Sequence, residues 1–525
     1  MSKERNIGEV GMGDPALAQF FTPLPVAEFI WKVVRILCGN RLSKRARVID
    51  PAAGTGVFLE AVSKEEKIPS RQIFGIEIDP SLRCCREQLP PGMPFFEGDG
   101  LLGEFPGVVP GRFDVVVGNP PFGRLGDIVP QVVEQSGWER FAIWHSGGIP
   151  ERQGERTRKL EGCPIELLFL ERALDLVKLG GLVAFILPDG FFANLRLQWA
   201  RDRVREWAQV LGVVALPEEV FRRPGLNARV TIAFLRRRKE GEQGGTALLM
   251  RPARGQKKGL SQYMGDVLQV FAGKGQIRQK EGVDGLRLPE GRLAGSRWDV
   301  GFWQGRELVR SLGRRFSLAP LGDFIRHLTY GPIITGGRPR PVEEGIRVIR
   351  QGDFGETGLR GEGVLRVEVG SAYDPPRSRV QRGDLLLPRS GAGALGRNRM
   401  AVYTAEEPAN IGCFVDLIRL AEINPYYAWF FFKAGPGWRQ IRALINGVGM
   451  PNINFAEIRG LHIPLPPLQD QVHLEKRYIR EILPLHGREG DGDALQREGE
   501  RRFRRIVEDL EAFLEGERKT TAACL

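Results

Sequence analysis

The 525-residue sequence is poor in the residues that build metal and redox centres. It contains six cysteines and five histidines, and no two cysteines have the CxxC spacing of a zinc or dithiol motif. We therefore expect no metal site, and we interpret the adjacent Cys84 and Cys85 as packing residues on a helix. No stretch approaches the ~18 apolar residues of a membrane span, and the Met1 end lacks the apolar core of a signal peptide. These absences predict a cytoplasmic protein.

The charge balance is strongly basic. Lysine and arginine total 76 against 64 aspartates and glutamates, which gives a formal net charge of +12. A basic chain suits a polyanionic partner such as nucleic acid, because neutralising phosphates releases counterions. The same charge can also serve solubility alone, so charge by itself leaves both interpretations open.

Residues 20 to 240 alternate short apolar runs with amphipathic stretches. Such alternation predicts an α/β fold, with an open, mainly parallel sheet and helices on both faces. The predicted strands are Arg47–Asp50, Ile73–Glu77, Phe113–Gly118, Gly181–Leu187 and Val230–Leu235. The predicted helices are Pro25–Cys38, Val57–Ser63, Glu166–Lys178 and Leu197–Leu211.

The residue composition of the chain changes after this region. The basic run Arg236–Lys239 and the glycine-rich stretch that follows it indicate the end of a first domain, residues 1–240. Residues 241–318 carry a weak signal, and we interpret them as a connecting subdomain. Residues 319–470 are rich in Gly, Pro and β-branched residues, with short strands such as Ile346–Ile349 and Asp384–Leu387, which predicts an α+β domain.

Residues 471–525 predict a helical tail. Its apolar residues repeat with a period near 3.6 and form one stripe, which comprises Phe503, Ile506, Val507, Leu510, Phe513 and Leu514. We expect this stripe to be an intramolecular packing face, with a partner-helix interface as the alternative.

A glycine-containing loop and two acids lie where the first three strands end. The run Val48–Gly56 places a strand before a tight turn in which glycines let the backbone approach a ligand closely. The GxGxxG spacing of dinucleotide sites is absent, which favours an adenosyl ligand over a dinucleotide. Glu77 ends the second strand, where a carboxylate can accept hydrogen bonds from ribose hydroxyls. Asp99 stands where a third strand should end, and it can bind an adenine amino group.

The turn Asn119-Pro120-Pro121-Phe122 follows a strong predicted strand. An aromatic amine is a poor nucleophile because its lone pair is delocalised into the ring, so it needs acceptors for its two hydrogens. The side-chain oxygen of Asn119 and the carbonyl of Pro120 can supply them, while the prolines fix the backbone. Phe122 offers an aromatic face for a base that is extruded from a duplex.

These motifs, in this order, resemble those of class I S-adenosylmethionine-dependent methyltransferases, and specifically of the DNA methyltransferases that modify amino groups. The segment Phe20–Pro25 resembles the short motif that precedes the glycine loop in the adenine enzymes. The resemblance implies S-adenosyl-L-methionine as the cofactor. It implies cofactor-binding roles for Phe21, Thr22, Pro23, Asp50, Ala52, Gly54, Gly56, Glu77 and Asp99. It implies catalytic roles for Asn119, Pro120, Pro121 and Phe122.

Three further features bear on the chemistry. Phe221 is a candidate for a second aromatic wall of the base site, with core packing as the competing interpretation. Methylation at carbon 5 of cytosine is disfavoured, because it needs a nucleophilic thiolate from a Pro-Cys pair, and the chain has Cys163-Pro164 in the reverse order. Residues 124–162 form an insert, rich in Trp and Arg, that is placed to cover the site or touch DNA; an ordinary surface loop is the alternative.

Residues 320–470 resemble one target-recognition half of a type I restriction specificity subunit. The resemblance rests on the segments Leu328–Gly331, Gly383–Gly391, Pro451–Ile458 and Ile463–Gln471. It implies a domain that reads bases in the major groove. The candidate DNA contacts are Arg389, Arg397, Asn398 and Arg399, because Arg and Asn pair bidentately with guanine and adenine edges. Phosphate contact or plain solvation is the alternative for each.

The resemblances imply transfer of a methyl group to the exocyclic amino group of adenine in a specific double-stranded DNA sequence, as the modification component of a restriction-modification system. No nuclease is expected in this chain, since there is no room for one before Phe20 and no PD-(D/E)xK array is apparent. The expected partners are double-stranded DNA, a separate endonuclease and a second copy bound through the C-terminal helices. The alternatives are action on cytosine, RNA or protein glutamine, and a DNA-binding subunit whose methyltransferase half is only structural.

Overall fold

The structure is a computed structural model. It describes residues 21–64, 68–82, 89–128, 137–144, 153–223, 226–227, 229–253, 259–277, 283–335, 339–361, 363–391, 393–445, 452–485 and 492–515. Phe20, Cys84, Cys85 and Pro451, which carried expectations from the sequence, lie outside these residues. The chain divides into unit 1, Met1–Val300, and unit 2, Gly301–Leu525.

Unit 1 is built on a sheet in which nine of its described strands join in the order β11-β10-β6-β9-β5-β4-β1-β2-β3. The strands of unit 1 are β1 (Val48–Asp50), β2 (Ile73–Glu77), β3 (Phe95–Glu97), β4 (Phe113–Gly118), β5 (Val177–Pro188), β6 (Ala208–Ala215), β7 (Arg222–Arg223), β8 (Leu226–Asn227), β9 (Val230–Arg237), β10 (Thr246–Pro252) and β11 (Val283–Pro289). β7 and β8 form a separate ribbon.

The five strands from β3 to β5 in this order are parallel to one another, whereas β9 lies antiparallel between β5 and β6. β1 and β2 are fully buried along their length, and β4 and β5 are buried over most of theirs, as expected for parallel strands covered on both faces. The predicted fold class, α/β with a class I methyltransferase Rossmann-like sheet, is therefore confirmed.

Helices cover the sheet of unit 1. They are α1 (Leu24–Cys38), α2 (Val57–Ser63), α3 (Leu125–Ile128), α4 (Gln153–Glu161), α5 (Ile165–Leu176), α6 (Asp189–Ala193), α7 (Gln198–Trp207) and α8 (Leu260–Phe271). α1 is amphipathic, and its buried residues join one hydrophobic core with α2, α8 and the inner residues of the sheet. A further helix, α9 (Val300–Leu312), starts at the boundary between the units.

Two expectations for this region differ from the structure. The helix predicted over Leu197–Leu211 ends at Trp207, because the apolar run that follows forms β6 and pairs with β9 and β10. The predicted connecting subdomain, residues 241–318, does not stand apart: β10 and β11 hydrogen-bond onto the same sheet, so the compact unit extends to Val300 rather than to residue 240.

Unit 2 has an α+β architecture, as predicted, with two four-stranded sheets in the orders β13-β20-β17-β18 and β15-β14-β19-β16 and a two-stranded ribbon of β12 and β21. Its strands are β12 (Leu318–Pro320), β13 (Ile325–Tyr330), β14 (Ile346–Ile349), β15 (Leu365–Val367), β16 (Arg379–Val380), β17 (Leu385–Pro388), β18 (Ala401–Val402), β19 (Ala409–Ile411), β20 (Val415–Leu420) and β21 (His462–Pro464).

The helices of unit 2 pack into the same core as its first sheet. They are α10 (Pro425–Lys433), α11 (Gly435–Leu444), α12 (Phe455–Arg459), α13 (Leu468–Glu481) and α14 (Gly492–Glu515). The stripe predicted on the tail is an internal face of unit 2: Phe503 lies 5.1 Å from Trp429 and 5.0 Å from Phe430, between ring centroids. The prediction of an intramolecular packing face is confirmed, and the tail is not a separate domain.

Within the described ranges, no helix combines the length and the apolar character needed to cross a membrane. In the same part of the chain, no group of three or more His, Cys, Asp or Glu side chains is arranged to hold a metal ion.

Candidate active site

The carboxyl ends of β1, β2, β3 and β4 meet at one edge of the sheet, because these four strands are parallel neighbours. Asp50 is the last residue of β1, and Glu77 is the last residue of β2. Asp99 follows β3 by two residues, and Asn119 follows β4 directly. The structure thus brings together the four polar residues that the sequence placed at strand ends.

The loop after β1 is held against the end of β2 by Glu77. One carboxylate oxygen of Glu77 accepts the N–H of Gly54 at 2.6 Å, and the other accepts the N–H of Asp79 at 2.9 Å. Gly54 and Gly56 have φ values of +54° and +82°, a conformation that favours glycine. The glycines are therefore required by the backbone of the turn, and Glu77 fixes its position.

Asp50 is a buried acid at the centre of this edge, with 1% of its surface exposed. Its Oδ1 accepts the N–H of Ala52 at 3.0 Å. Burial raises the pKa of Asp50 to about 8, the charge of Glu77 adds to this rise, and the Ala52 N–H opposes it. Oδ2 is buried without a hydrogen-bond partner among the described residues. A buried acceptor of this kind points to a ligand donor or to a protonated acid.

Two glycines that the sequence analysis did not single out bring the backbones at this edge together. A Cβ on Gly100 would lie 1.9 Å from the carbonyl oxygen of Pro51, and a Cβ on Gly118 would lie 2.8 Å from Oδ1 of Asp50. Asp99 is half-buried, and its Oδ1 accepts the N–H of Leu101 at 2.8 Å. The close contact between the backbones of Gly100 and Pro51 holds the turn that contains Asp99 beside the glycine loop.

Thr22 and Asn119 meet although 97 residues separate them in the sequence. The Nδ2 group of Asn119 donates to the Thr22 hydroxyl at 3.1 Å, and Thr22 is 7% exposed. In this amide orientation Oδ1 of Asn119 points away from Thr22. A Cβ on Gly54 would lie 3.8 Å from the Phe21 ring, and Pro23 precedes the first residue of α1. The upstream motif therefore contacts both the glycine loop and the Asn-Pro-Pro turn.

The two candidate aromatic walls differ in exposure. Phe122 is half-buried and packs at the edge of the main core of unit 1. Phe221 is 6% exposed and belongs to the core itself. The competing interpretation, core packing, accounts for the place of Phe221 in the structure.

Cys163 has none of the features of a nucleophilic thiol. Its side chain is buried, and its pKa is raised to about 12 by burial, with smaller contributions from the charges of Glu166 and Glu171. The Cys163-Pro164 pair instead lies beside the Asn-Pro-Pro turn, where the N–H of Leu125 donates to the Cys163 carbonyl at 2.9 Å.

Within the insert, the described residues 137–144 present their aromatic side chains inward. Trp138, Phe141 and Trp144 are 3%, 2% and 3% exposed. Glu171 on α5 accepts the N–H groups of Ala142 at 2.8 Å and Ile143 at 2.9 Å. These rings therefore pack within unit 1 and do not form an exposed stacking surface for DNA.

In unit 2, the side chains of two candidate DNA contacts, Asn398 and Arg399, are bonded within the fold. Asn398 has φ +56°, is 7% exposed and donates through Nδ2 to the Phe432 carbonyl at 2.9 Å. Arg399 pairs with Glu356 at 2.9 Å. Asn398 is therefore a structural residue of unit 2, and base contact by this amide is not supported.

Arg389 and Arg397 differ from these two. Arg389 is partly exposed, lies 3.4 Å from Oδ1 of Asp416 and sits 4.2 Å from the centroid of Tyr330. Arg397 is exposed. Asp416 was not foreseen: it is 0% exposed, and burial raises its pKa to about 7 although the charge of Arg389 lowers it. The sequence offered one signal for Asp416, which is its inward position in a strand that mixes polar and apolar residues.

The chain matches a family model, curated relatives and solved structures. Residues 15–262 match the family model described as N-6 DNA Methylase. The chain is 30% identical over 158 residues to the tRNA1(Val) (adenine(37)-N6)-methyltransferase of Porphyromonas gingivalis, a match that covers 29% of this chain and 54% of that protein. It is 21% identical over 186 residues to the type II methyltransferase M.HincII of Haemophilus influenzae, covering 35% of this chain and 30% of that protein. The crystal structure of the type IIG restriction endonuclease BpuSI aligns with a TM-score of 0.45 and 13% identity, over 95% of this chain and 67% of that one.

The family match lies within unit 1 and spans its site. It supports the enzyme class expected from the sequence for this unit, a DNA methyltransferase. The chain spans less than two thirds of the length of either curated relative.

Proposed function

We propose that this protein transfers a methyl group from S-adenosyl-L-methionine to the exocyclic amino group of adenine within a specific double-stranded DNA sequence. The observation that carries the proposal is the hydrogen bond between Asn119 and Thr22 at the sheet edge that also holds Asp50 and Glu77. This bond joins an amine-binding turn to a nucleoside-type pocket. The match to N-6 DNA methylases over residues 15–262 supports it.

The residues present fit an adenosyl cofactor. The close approaches at Gly100 and Gly118 and the φ of +54° at Gly54 form a cradle that side chains would fill. Asp50 contributes a buried acceptor, and Glu77 places a carboxylate at the end of β2. We assign cofactor binding to Phe21, Thr22, Pro23, Asp50, Ala52, Gly54, Gly56, Glu77 and Asp99. When bound, the cofactor supplies an electrophilic methyl group on a sulfonium.

The turn residues act on the target amine. Because the Nδ2 group of Asn119 is turned toward Thr22, its Oδ1 is oriented to accept one amine hydrogen. Pro120 contributes its carbonyl as the second acceptor, and neither Pro120 nor Pro121 has an N–H that would compete for these acceptors. Phe122 is placed for stacking with the extruded base. Acceptance of both hydrogens concentrates the nitrogen lone pair for attack, so positioning carries the catalysis.

The assignment of DNA recognition to unit 2 rests on one end of its first sheet. Three of the four resembling segments meet there: Tyr330 ends β13, Arg389 follows β17, and the guanidinium of Arg389 lies 4.2 Å from the Tyr330 centroid and 5.6 Å from that of Phe455. The neighbouring Phe414 is 55% exposed, and the exposed Arg397 adds positive charge. Arginine and exposed aromatic groups at one edge suit contact with a nucleic acid.

We further propose that the protein serves as the modification component of a restriction-modification system, with a separate endonuclease as its partner. The proposed homodimer through the C-terminal helices loses its main support, because the apolar stripe of α14 is buried within unit 2. RNA is the second candidate substrate, and the 30% identity to a tRNA adenine methyltransferase favours it. The recognition-like unit 2 favours DNA instead.

A parallel labelling experiment tests the proposal. The protein is incubated with methyl-labelled cofactor and, separately, with unmethylated duplex DNA, total RNA and protein extract. We expect label in duplex DNA, recovered as N6-methyladenine in the nucleoside digest. Label confined to RNA or protein contradicts the proposal, and N4-methylcytosine as the sole product contradicts the assignment to adenine. No transfer to any substrate, despite cofactor binding, favours a structural methyltransferase half.

A further inference from the structure

The catalytic turn cannot fix its own far end through its prolines. Pro120 and Pro121 have no N–H groups, so the turn must be anchored on either side of them. Its near end continues from β4 and is bonded to Thr22 through Asn119. Positioning within a fraction of an ångström matters for such a site. The groups that hold the far end are therefore part of how the site works.

The far end of the turn is held at Gly123 by contacts with residues 164–166, and we call this set of contacts the clasp. The Gly123 carbonyl accepts the N–H of Ile165 at 2.9 Å, and Arg124 forms an antiparallel bridge with Pro164. The Gly123 N–H donates to Oε2 of Glu166 at 3.2 Å. Gly123 has φ +135°, which favours glycine. Both backbone groups of Gly123 are thus bound by the first turn of α5.

Burying the carboxylate of Glu166 at this position costs free energy unless an interaction compensates for the burial. It is 7% exposed, between Ile165 and Leu167, which are 3% and 0% exposed. Burial raises its pKa to about 7, and its own backbone N–H and then the Gly123 N–H counteract part of this rise. A buried acid without a paired cation costs free energy that a leucine would not. Besides its own backbone N–H, the hydrogen-bond donor to this carboxylate within the described residues is the N–H of Gly123.

We propose that Glu166 is a positioning residue, which holds the backbone of Gly123 and thereby fixes the acceptors of the Asn119–Phe122 turn on the target amine. This inference rests on the proposed function for the chemistry, but the clasp itself does not. Glu166 acts through the turn and does not touch the substrate. The acceptor oxygen, rather than the negative charge, is the property that matters.

Three variants of the full-length protein test this role: Glu166→Leu, which removes the acceptor; Glu166→Asp, which shortens the reach; and Glu166→Gln, which keeps an acceptor oxygen without the charge. Steady-state transfer to unmethylated genomic DNA gives kcat and the KM for cofactor and DNA. We expect Glu166→Leu and Glu166→Asp to lower kcat about 10- to 100-fold with KM changed less than about threefold. Glu166→Gln should stay within about threefold of the wild type.

Glu171→Gln is the matched control, because Glu171 lies on the same helix and accepts two backbone N–H groups from residues 142 and 143. Wild-type kcat in both Glu166→Leu and Glu166→Asp overturns the proposal, as does an equal loss in Glu166→Gln. If Glu166→Leu does not fold, Glu166→Asp decides.

A second readout does not need turnover: amide hydrogen exchange at Gly123. We expect faster exchange in Glu166→Leu and Glu166→Asp than in the wild type or Glu166→Gln, and unchanged exchange overturns the clasp. A wild-type protein that labels no DNA contradicts the proposed function instead, and the exchange result then still tests the clasp.

Discussion

Unit 1 and unit 2 use their polar residues in opposite ways. At the sheet edge of unit 1, Asp50, Glu77 and Asn119 gather at neighbouring strand ends, and each is bonded to a loop or side chain that lines the same edge. In unit 2, Asn398 and Arg399 point into their own domain and bond to Phe432 and Glu356. Strand-end position is therefore a better guide to a functional side chain than residue type alone.

The two units also differ in the surroundings of their buried acids, Asp50 and Asp416. Asp50 has a backbone N–H on one oxygen and nothing among the described residues on the other, whereas Asp416 lies beside the guanidinium of Arg389. Burial raises the pKa of both, to about 8 and about 7. Both acids keep a buried oxygen without a hydrogen-bond partner among the described residues, but Asp416 has an arginine as its ion-pair partner.

Loss of Glu77 should give the largest effect on ligand binding. Glu77→Ala removes the carboxylate that bonds Gly54 and that we assign to the cofactor, so we expect the Kd for S-adenosyl-L-methionine to rise about 100-fold. Isothermal titration measures it. Glu97→Ala is the control, since Glu97 is exposed and pairs in register with Glu77 on β3. Equal affinities of Glu77→Ala and the wild type would contradict the assignment of Glu77 to a cofactor site in unit 1.

Asn398→Ala should reduce stability and leave DNA affinity unchanged. It leaves the buried Phe432 carbonyl without its donor and puts alanine at φ +56°, so the free energy of unfolding should fall by about 1–3 kcal/mol. Urea denaturation and DNA titration of the folded variant measure the two effects. The opposite outcome, intact stability with weakened DNA binding, would support Asn398 as a base contact.

Asp50→Asn should change how stability depends on pH. The folded pKa of about 8 exceeds the usual value of 3.8, so between these values unfolding releases a proton, and the stability of the wild type falls as pH rises. Between pH 6 and 7 the wild type should lose about 1.4 kcal/mol relative to Asp50→Asn. Denaturation at the two pH values tests this, with the exposed Asp127→Asn as control. A constant difference would mean that Asp50 is ionised in the folded protein.

Arg397→Ala should have the smallest effect. Arg397 is exposed, so its loss should weaken duplex binding by a few-fold and reduce the salt dependence by about one unit of slope. Arg326→Ala, which removes an exposed arginine paired with Glu422, is the matched control. Unchanged affinity and slope would mean that this edge of unit 2 does not touch DNA.

The sequence predicted most of unit 1 because its signals are local. The strands Ile73–Glu77 and Phe113–Gly118 and the helix Val57–Ser63 have the predicted bounds, since each is a short run bordered by turn residues. The run Ala208–Ala215 was assigned partly to a helix, because a short apolar segment has no period that separates strand from helix. β10 and β11 were missed since their pairing onto the sheet is set by distant strands.

The residues of the proposed site were named from the sequence, but the contacts between them were not. Thr22 and Asn119 were each singled out, yet a hydrogen bond across 97 residues of sequence exists only once the sheet places both ends together. The burial of Asn398 was not predicted for the same reason, because its amide bonds to the distant α10. The role of Glu166 required the bond to Gly123, which no local pattern encodes.

The central claim is that Asn119 accepts a hydrogen of the target amine, and its most direct test is the rate of N6-methyladenine formation in duplex DNA by Asn119→Ala. We expect a rate at least about 100-fold below the wild type, with cofactor and DNA affinity retained. Asn40→Ala, an exposed asparagine of unit 1, should have the wild-type rate. Near-normal turnover of Asn119→Ala would contradict the account.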